Sequence, residues 1–136
     1  MKKIICLMLA LLCLACFVSC GEDEPKDENY IDLTSMSATM IQTQLSNMSA
    51  FPDLFADKTV KMQGFVAMSE DGADIYCVYN DATACCTRLM VLEWPEGQEM
   101  PNADVTMTVE GKYDGSYTGV VQDYICGRLT DITVSW

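Results

Sequence analysis

Residues 59–68 read TVKMQGFVAM, and their pattern decides the fold. The apolar side chains recur with a period of two, interrupted once: Val60, Met62, Val66 and Met68. This period is typical of a strand with one buried face. Gly64 stands at the centre, and a glycine inside a strand usually marks a bulge or a sharp bend. The stretch therefore predicts a long, bent strand, which suits a small closed barrel of the OB type.

The patterns downstream predict four more strands, separated by segments rich in turn-forming residues. These strands cover residues 74–80, 88–94, 103–113 and about 122–134. The segment 88–94 is apolar on both faces, whereas the segment 103–113 has one apolar face formed by Val105, Met107 and Val109.

One helix precedes the strands. Thr34 or Ser35 is its expected N-cap, and it should run to about Ser49, because Pro52 cannot continue it. Its apolar side chains share one face: Met36, Met40, Ile41, Leu45 and Met48. We expect this face to pack on the core, and a pliable methionine-rich binding surface is the alternative.

One helix followed by five strands predicts a mainly β domain of the α+β class. The expected architecture is a five-stranded OB-like barrel with the N-terminal helix against one end. The alternative is an open antiparallel sheet with the helix packed on one face.

The N-terminus has the parts of a secretory signal, namely Lys2 and Lys3, an apolar run over residues 4–18, and a small residue before a cysteine. The apolar run is shorter than the ~20 residues that a membrane-spanning helix needs. Residues 17–20, Phe-Val-Ser-Cys, resemble a bacterial lipobox, in which the cysteine becomes the lipidated N-terminus. Cys16 is a rival cleavage point.

We therefore expect a lipoprotein signal peptide over residues 1–19, lipidated Cys20 with an acidic tether over residues 20–34, and the OB-like domain over residues 35–136. The protein would be an outer-membrane lipoprotein of a bacterial cell envelope, held to the membrane through its lipid. The acidic tether resembles surface-export signals of some anaerobic Gram-negative bacteria, which would place the protein on the cell surface. A plain spacer is the alternative.

The charge excludes one class of partner. Twenty Asp and Glu stand against eight Lys and Arg, a net charge of −12, and loss of Lys2 and Lys3 with the signal would make it −14. Nucleic-acid binding draws its affinity from basic residues that neutralise phosphates. We therefore expect no nucleic-acid partner.

The chain contains no histidine, which excludes a serine triad, a Cys–His nucleophile and every His-containing metal site. A lone cysteine nucleophile needs a cationic neighbour, for which Arg88 and Arg128 are the candidates. Carboxylates at Glu70, Asp71 and Asp74 lack the spacing of a calcium loop and predict a solvated turn. The sequence indicates neither an enzyme nor a cofactor, and it assigns no metal ligands.

Four cysteines remain after the expected lipidation of Cys20: Cys77, Cys85, Cys86 and Cys126. In an OB barrel Cys77, late in the second strand, should lie near Cys85 and Cys86 at the start of the third, and Cys126, early in the fifth, should reach the same end. Neighbouring residues on a strand point to opposite faces. We expect one or two disulfides that join Cys85 or Cys86 to Cys77 or Cys126. Free core thiols and a four-sulfur zinc site are the alternatives. Asp81 and Thr83, just before the pair, predict turn hydrogen bonds.

Aromatic residues fall on or beside the predicted strands: Tyr76, Tyr79, Trp94, Tyr113, Tyr117 and Tyr124. OB barrels bind oligonucleotides or oligosaccharides through one face and its loops. The charge disfavours oligonucleotides. We therefore expect a lipid-anchored binding or adaptor module whose ligand is a carbohydrate, or else a peptide or protein. The alternative is a thiol or metal site protein centred on the four cysteines.

The arrangement also resembles a group of uncharacterised OB-like lipoproteins from anaerobic bacteria. The matching features are the N-terminal helix, Gly64 in the first strand, the Asp-Ala-Thr-Ala-Cys-Cys stretch at residues 81–86, and residues 105–113 with Gly111. The resemblance implies fold and location, and it brings no activity with it.

Overall fold

The computed structural model describes residues 27–83, 86–117 and 124–136. In chain order its strands are β1 (Tyr30–Asp32), β2 (Thr59–Met68), β3 (Ile75–Asn80), β4 (Thr87–Leu92), β5 (Thr106–Asp114) and β6 (Ile125–Ser135). The α-helix, α1, is Ala38–Ala50, and short 3-10 turns cover Leu33–Ser35 and Pro52–Leu54.

Strands β2 to β6 close into a barrel. Their order is β2-β3-β4-β6-β5, and β5 returns to pair with β2. Every neighbouring pair is antiparallel except β4 and β6, which run parallel. β1 is an additional strand, parallel to β2. The predicted α+β domain with an OB-like barrel is therefore confirmed, and the alternative of an open sheet is wrong because β5 pairs on both sides.

The bend in β2 lies at Gly64, as the sequence predicts. The first part of the strand, up to Phe65, pairs with β5, and the part from Phe65 onward pairs with β3. A Cβ at Gly64 would clash with the Val78 carbonyl oxygen and would lie 2.8 Å from Cys77 Sγ. Only glycine permits this approach. Met68, expected on the buried face, is 55% exposed because it stands at the hairpin end of β2, outside the barrel core.

The helix begins later than predicted. Ser37 is its N-cap and accepts a hydrogen bond from the Met40 backbone N–H at 3.4 Å. Thr34, a predicted cap, lies in the first 3-10 turn, where Asp32 caps it by accepting from the Thr34 N–H at 2.9 Å. Met40 is 56% exposed, because the helix buries the residues of its last two turns, such as Met48.

Tyr113, at the end of β5, attaches α1 to one end of the barrel. Its hydroxyl hydrogen-bonds the Met48 carbonyl oxygen at 2.9 Å and the carbonyl oxygen of Cys126 on β6. Met48 lies near the C-terminus of α1, where carbonyls lack partners within the helix. Gly127, at a φ of 123°, leaves room for the ring, because a Cβ there would lie 2.7 Å from it. The helix packs against the barrel end, as predicted.

The folded part of the chain begins earlier than expected. Tyr30–Asp32 pairs with β2, and Ile31 and Leu33 are buried in the core. The predicted tether over residues 20–34 therefore extends too far, because these apolar residues contribute to the domain. The expected signal peptide and Cys20 lie outside the described residues. Across the part of the chain that the structure describes, no helix is long and apolar enough to cross a membrane.

Candidate functional site

An apolar cluster lies on the outer face of the barrel, separate from the main core. Tyr76 on β3, Val91 on β4 and Ile125 on β6 are buried there, and Tyr117 packs against them. Tyr76 and Val91 are direct partners across the two strands. Met90, the neighbour of Val91, is buried in the main core. β4 is therefore buried on both faces, as its sequence predicts.

A cleft of about 290 Å³ lies beside this outer cluster. It is lined by residues 73–75 at the start of β3, residues 91–94 at the end of β4, Tyr117 and Arg128. We call it the Trp94–Tyr117 cleft. In OB folds, ligands bind on the face of the second and third barrel strands and on the loops after the first and fourth. β3 and β4 are those strands here, and the cleft lies between those loops.

The turn between β2 and β3 fixes the position of Asp74. The Asp74 backbone N–H donates to Ser69 Oγ at 2.9 Å, and its carbonyl accepts from the Ser69 N–H at 2.9 Å. Asp71 accepts from Ser69 Oγ at 2.6 Å and from the Ala73 N–H at 3.1 Å, and these bonds lower the pKa of Asp71. The predicted turn is present, and it holds the backbone of Asp74 at the cleft.

Tyr117 and Arg128 form the opposite wall. The Asp74 carboxylate beside the Tyr117 hydroxyl raises the pKa of Tyr117 to about 12. The Arg128 guanidinium carbon lies 5.7 Å from the centre of the Tyr117 ring, within cation–π range. Arg128 Nη2 donates to Asp114 Oδ2 at 2.7 Å. Four side chains are thus linked in a row, from Asp74 through Tyr117 and Arg128 to Asp114.

This row sets the electrostatics of the wall. Hydrogen bonds from the Ser116 hydroxyl and from Arg128 lower the pKa of Asp114, so this carboxylate is charged and pairs with the guanidinium. Arg128 Nε is buried and has no hydrogen-bond partner among the described residues. The guanidinium is therefore held by one ion pair, with Asp114, and by the Tyr117 ring.

Trp94 and Glu93 complete the cleft at the end of β4. Trp94 is half-buried, and its indole Nε1 donates to the Gln98 carbonyl oxygen at 3.0 Å. The Glu93 backbone N–H donates to the Leu129 carbonyl oxygen at 2.9 Å, while its side chain is exposed. The cleft therefore presents two aromatic rings, two carboxylates and one guanidinium on well-anchored backbone.

Among the residues that the structure describes, the predicted disulfides are absent. Cys77 and Cys126 are buried free thiols, and each expected pairing requires one of them. Cys77 pairs with Met90 on β4, while Cys126 lies on β6 between the partners of Leu89 and Val91. β4 thus separates the two cysteines by two strand spacings, about 9.5 Å. The two buried thiols therefore do not lie together, although all four cysteines were expected to converge at one end of the barrel.

The strand order behind that prediction is correct, but the register is not. Cys77 is the third of six residues in β3 and lies opposite the middle of β4, so it does not reach the start of that strand. Cys86 is exposed just before β4, where its carbonyl accepts from Gln42 Nε2 at 2.9 Å. Cys85 lies outside the described residues. The predicted turn is present, since Thr83 N–H donates to Asp81 Oδ1 at 3.1 Å.

Burial keeps the two core thiols protonated. It raises the pKa of Cys77 to about 12 and that of Cys126 to about 11, and the nearby charge of Arg88 offsets only part of the second shift. Thiolate is the reactive and metal-binding form of cysteine. Among the described residues, no group of three or more cysteines and carboxylates is placed to hold a metal ion.

The aromatic residues divide between packing and the cleft. Tyr76 and Tyr113 are buried, Tyr79 and Trp94 pack against the main core, with Trp94 also lining the cleft, and Tyr124 is exposed. The sequence did not predict that Asp74 and Arg128 belong to one site. They lie 54 positions apart, and only the folding of the barrel brings both to Tyr117. Glu93 was likewise missed. The available signal was an aromatic residue at the end of a predicted strand, which is Trp94.

Comparison of the chain with protein-family models, with curated proteins and with solved structures finds no match.

Proposed function

We propose that the protein is a lipid-anchored binding module of the bacterial cell envelope and that the Trp94–Tyr117 cleft holds its ligand. One observation carries this proposal. The cleft combines aromatic rings, carboxylates and a guanidinium at the position where OB barrels bind their ligands. Ligand sites are typically concave, with apolar walls and a few convergent polar groups.

A carbohydrate is the favoured ligand. Sugars present apolar ring faces that suit Trp94 and Tyr117, and hydroxyl groups that suit the carboxylates and guanidinium beside them. Extended peptides commonly bind by adding a strand to an open sheet edge. Closure of β2 to β6 leaves open edges at the three residues of β1 and at the part of β6 beyond Leu129, which pairs with β5 alone, and neither edge lines the cleft. A peptide held through side chains alone is the second candidate.

Binding is tested on a glycan array with the full-length protein, purified in a detergent that lacks a sugar head group. Trp94→Ala should weaken the binding of any glycan selected on the array by about tenfold or more, which corresponds to the loss of ~1.4 kcal/mol of binding free energy. Tyr79→Ala is the matched control, because it removes a half-buried ring that also packs against the main core but lies outside the cleft. Equal affinity of all three proteins would contradict the proposed site.

The lipid anchor rests on the lipobox resemblance at residues 17–20 and on the polar stretch that follows. Likeness to the OB-like lipoproteins of anaerobic bacteria supports the same location. Cys20→Ala should move the protein from the membrane fraction to the soluble fraction. An unmodified Cys20 in the mature wild-type protein, identified by mass spectrometry, would contradict the anchor.

The alternative, a protein centred on a thiol or metal site, has less support. Cys77 and Cys126 are buried and protonated on opposite sides of β4. A metal assay combined with thiol counting on the purified protein separates the two functions.

A further inference from the structure

Charge in the Trp94–Tyr117 cleft restricts the class of ligand. Asp74 and Glu93 both line the cleft. Arg128 is the only basic residue in the lining among the described residues, and its guanidinium pairs with Asp114 at 2.7 Å. Once that pair is counted as neutral, two carboxylates remain without a basic counterpart in the cleft.

The surroundings have the same sign. Glu70 and Asp71 lie in the turn that leads to Asp74, and Glu96 follows Trp94 by two residues. All three are exposed. The whole chain carries a net charge of −12. A negatively charged ligand would therefore approach a negative cleft through a negative field, which lowers both its rate of association and its affinity.

We infer that the cleft selects uncharged glycans and rejects acidic ones, such as uronic-acid or sulfated chains. The inference rests on the proposed function, because it names the class of carbohydrate for the same site. Uncharged sugar hydroxyls can donate to the carboxylates of Asp74 and Glu93, whereas a carboxylate or sulfate on the ligand can only accept and is repelled. The guanidinium offers limited compensation, since Asp114 already occupies one of its N–H groups.

Matched pairs of oligosaccharides test this selection directly. The probes are short chains of glucose, galactose and mannose, each compared with the same chain in which the C6 hydroxymethyl groups are oxidised to carboxylates. The full-length protein in sugar-free detergent is titrated with both members of each pair. We expect the acidic member to bind at least about tenfold more weakly than the neutral member at ~0.05 M salt. The ratio of their Kd values should be smaller at ~0.5 M salt, because salt screens the repulsion.

Two variants assign the selection to the cleft. Glu93→Gln removes one of the two carboxylates and should therefore reduce the difference in Kd between the neutral and the acidic member of each pair. Asp53→Asn makes the same change of charge on the 3-10 turn after α1, outside the cleft, and should leave the ratio unchanged.

The possible outcomes are distinct. Binding of a neutral chain, with its acidic counterpart at least about tenfold weaker and the ratio sensitive to Glu93→Gln, supports the inference. Equal or tighter binding of the acidic member overturns the inference and leaves the proposed function standing. Failure of every neutral and acidic chain to bind overturns the proposed function, and the inference with it.

Discussion

The attachment of α1 to the barrel should depend on one hydroxyl group, that of Tyr113. The substitution Tyr113→Phe removes this hydroxyl and keeps the ring. The ring contact with Phe55, with centroids 6.4 Å apart, and the close fit over Gly127 should both persist. The variant therefore opens no large cavity, and its effect reports the hydrogen bonds alone.

The magnitude follows from the groups that lose a partner. Without the hydroxyl, the carbonyls of Met48 and Cys126, which share its single O–H, lose a donor in a buried position. Leaving a buried polar group unsatisfied costs roughly 1–3 kcal/mol. We expect a loss of about 2 kcal/mol in the free energy of unfolding. For a domain of roughly 107 residues, with an unfolding entropy of about 2.1 cal/mol/K per residue, the Tm should fall by about 9 °C.

The assay is chemical denaturation followed by circular dichroism, with thermal melting as a second measurement. Tyr30→Phe is the matched control, because it removes a tyrosine hydroxyl that bonds Glu110 at 2.8 Å on the surface. Exposed hydrogen bonds contribute little, so the control should lose less than about 0.5 kcal/mol. Equal losses in the two variants would refute the role of Tyr113 as the attachment of α1.

Three further expectations follow from the core. Gly64→Ala should cost roughly 1–3 kcal/mol by overpacking, since a Cβ would press on the Val78 carbonyl and on Cys77 Sγ at 2.8 Å; an unchanged denaturation midpoint would contradict the close approach of β2 and β3. Cys77 and Cys126 should react with a thiol reagent only after unfolding, and rapid modification in native buffer would show that they are accessible. Folding raises the pKa of Cys77 from 9.0 to about 12 and that of Cys126 from 9.0 to about 11. Because the unfolded chain loses these protons first, the free energy of unfolding should be at its full value below about pH 9 and should fall as the pH rises toward 11. Denaturation curves across that range check the sign, and a rise in stability would contradict it.

Much of the fold follows from local patterns. The alternation in residues 59–68 and the central Gly64 predict the bounds and the bend of β2, because burial of one face imposes a period of two. The start of α1 was less predictable. Asp32 is the N-cap of a 3-10 turn that contains Thr34, and Ser37 is the N-cap of α1. Two N-caps thus lie within six residues, and the sequence does not show which of them begins the α-helix.

The site was less accessible to sequence reasoning, because it depends on register and on distant pairs. The prediction of converging cysteines used the correct strand order but placed Cys77 too late in β3, and a shift of a few residues along a strand separates side chains by several ångströms. The link from Asp74 to Arg128 through Tyr117 joins three separate segments. No local pattern predicts such a link, whereas the aromatic residues themselves could be named.

Binding at the cleft can be observed through Trp94, one of two tryptophans in the chain. Trp136→Phe removes the other, which is exposed at the C-terminus, and leaves Trp94 as the single reporter. Titration of this variant with the neutral glycan selected on the array should give a saturable change in tryptophan emission, with the same Kd as the array. A glycan that binds while the emission of Trp94 stays constant would contradict the account, because the ligand would then lie elsewhere on the protein.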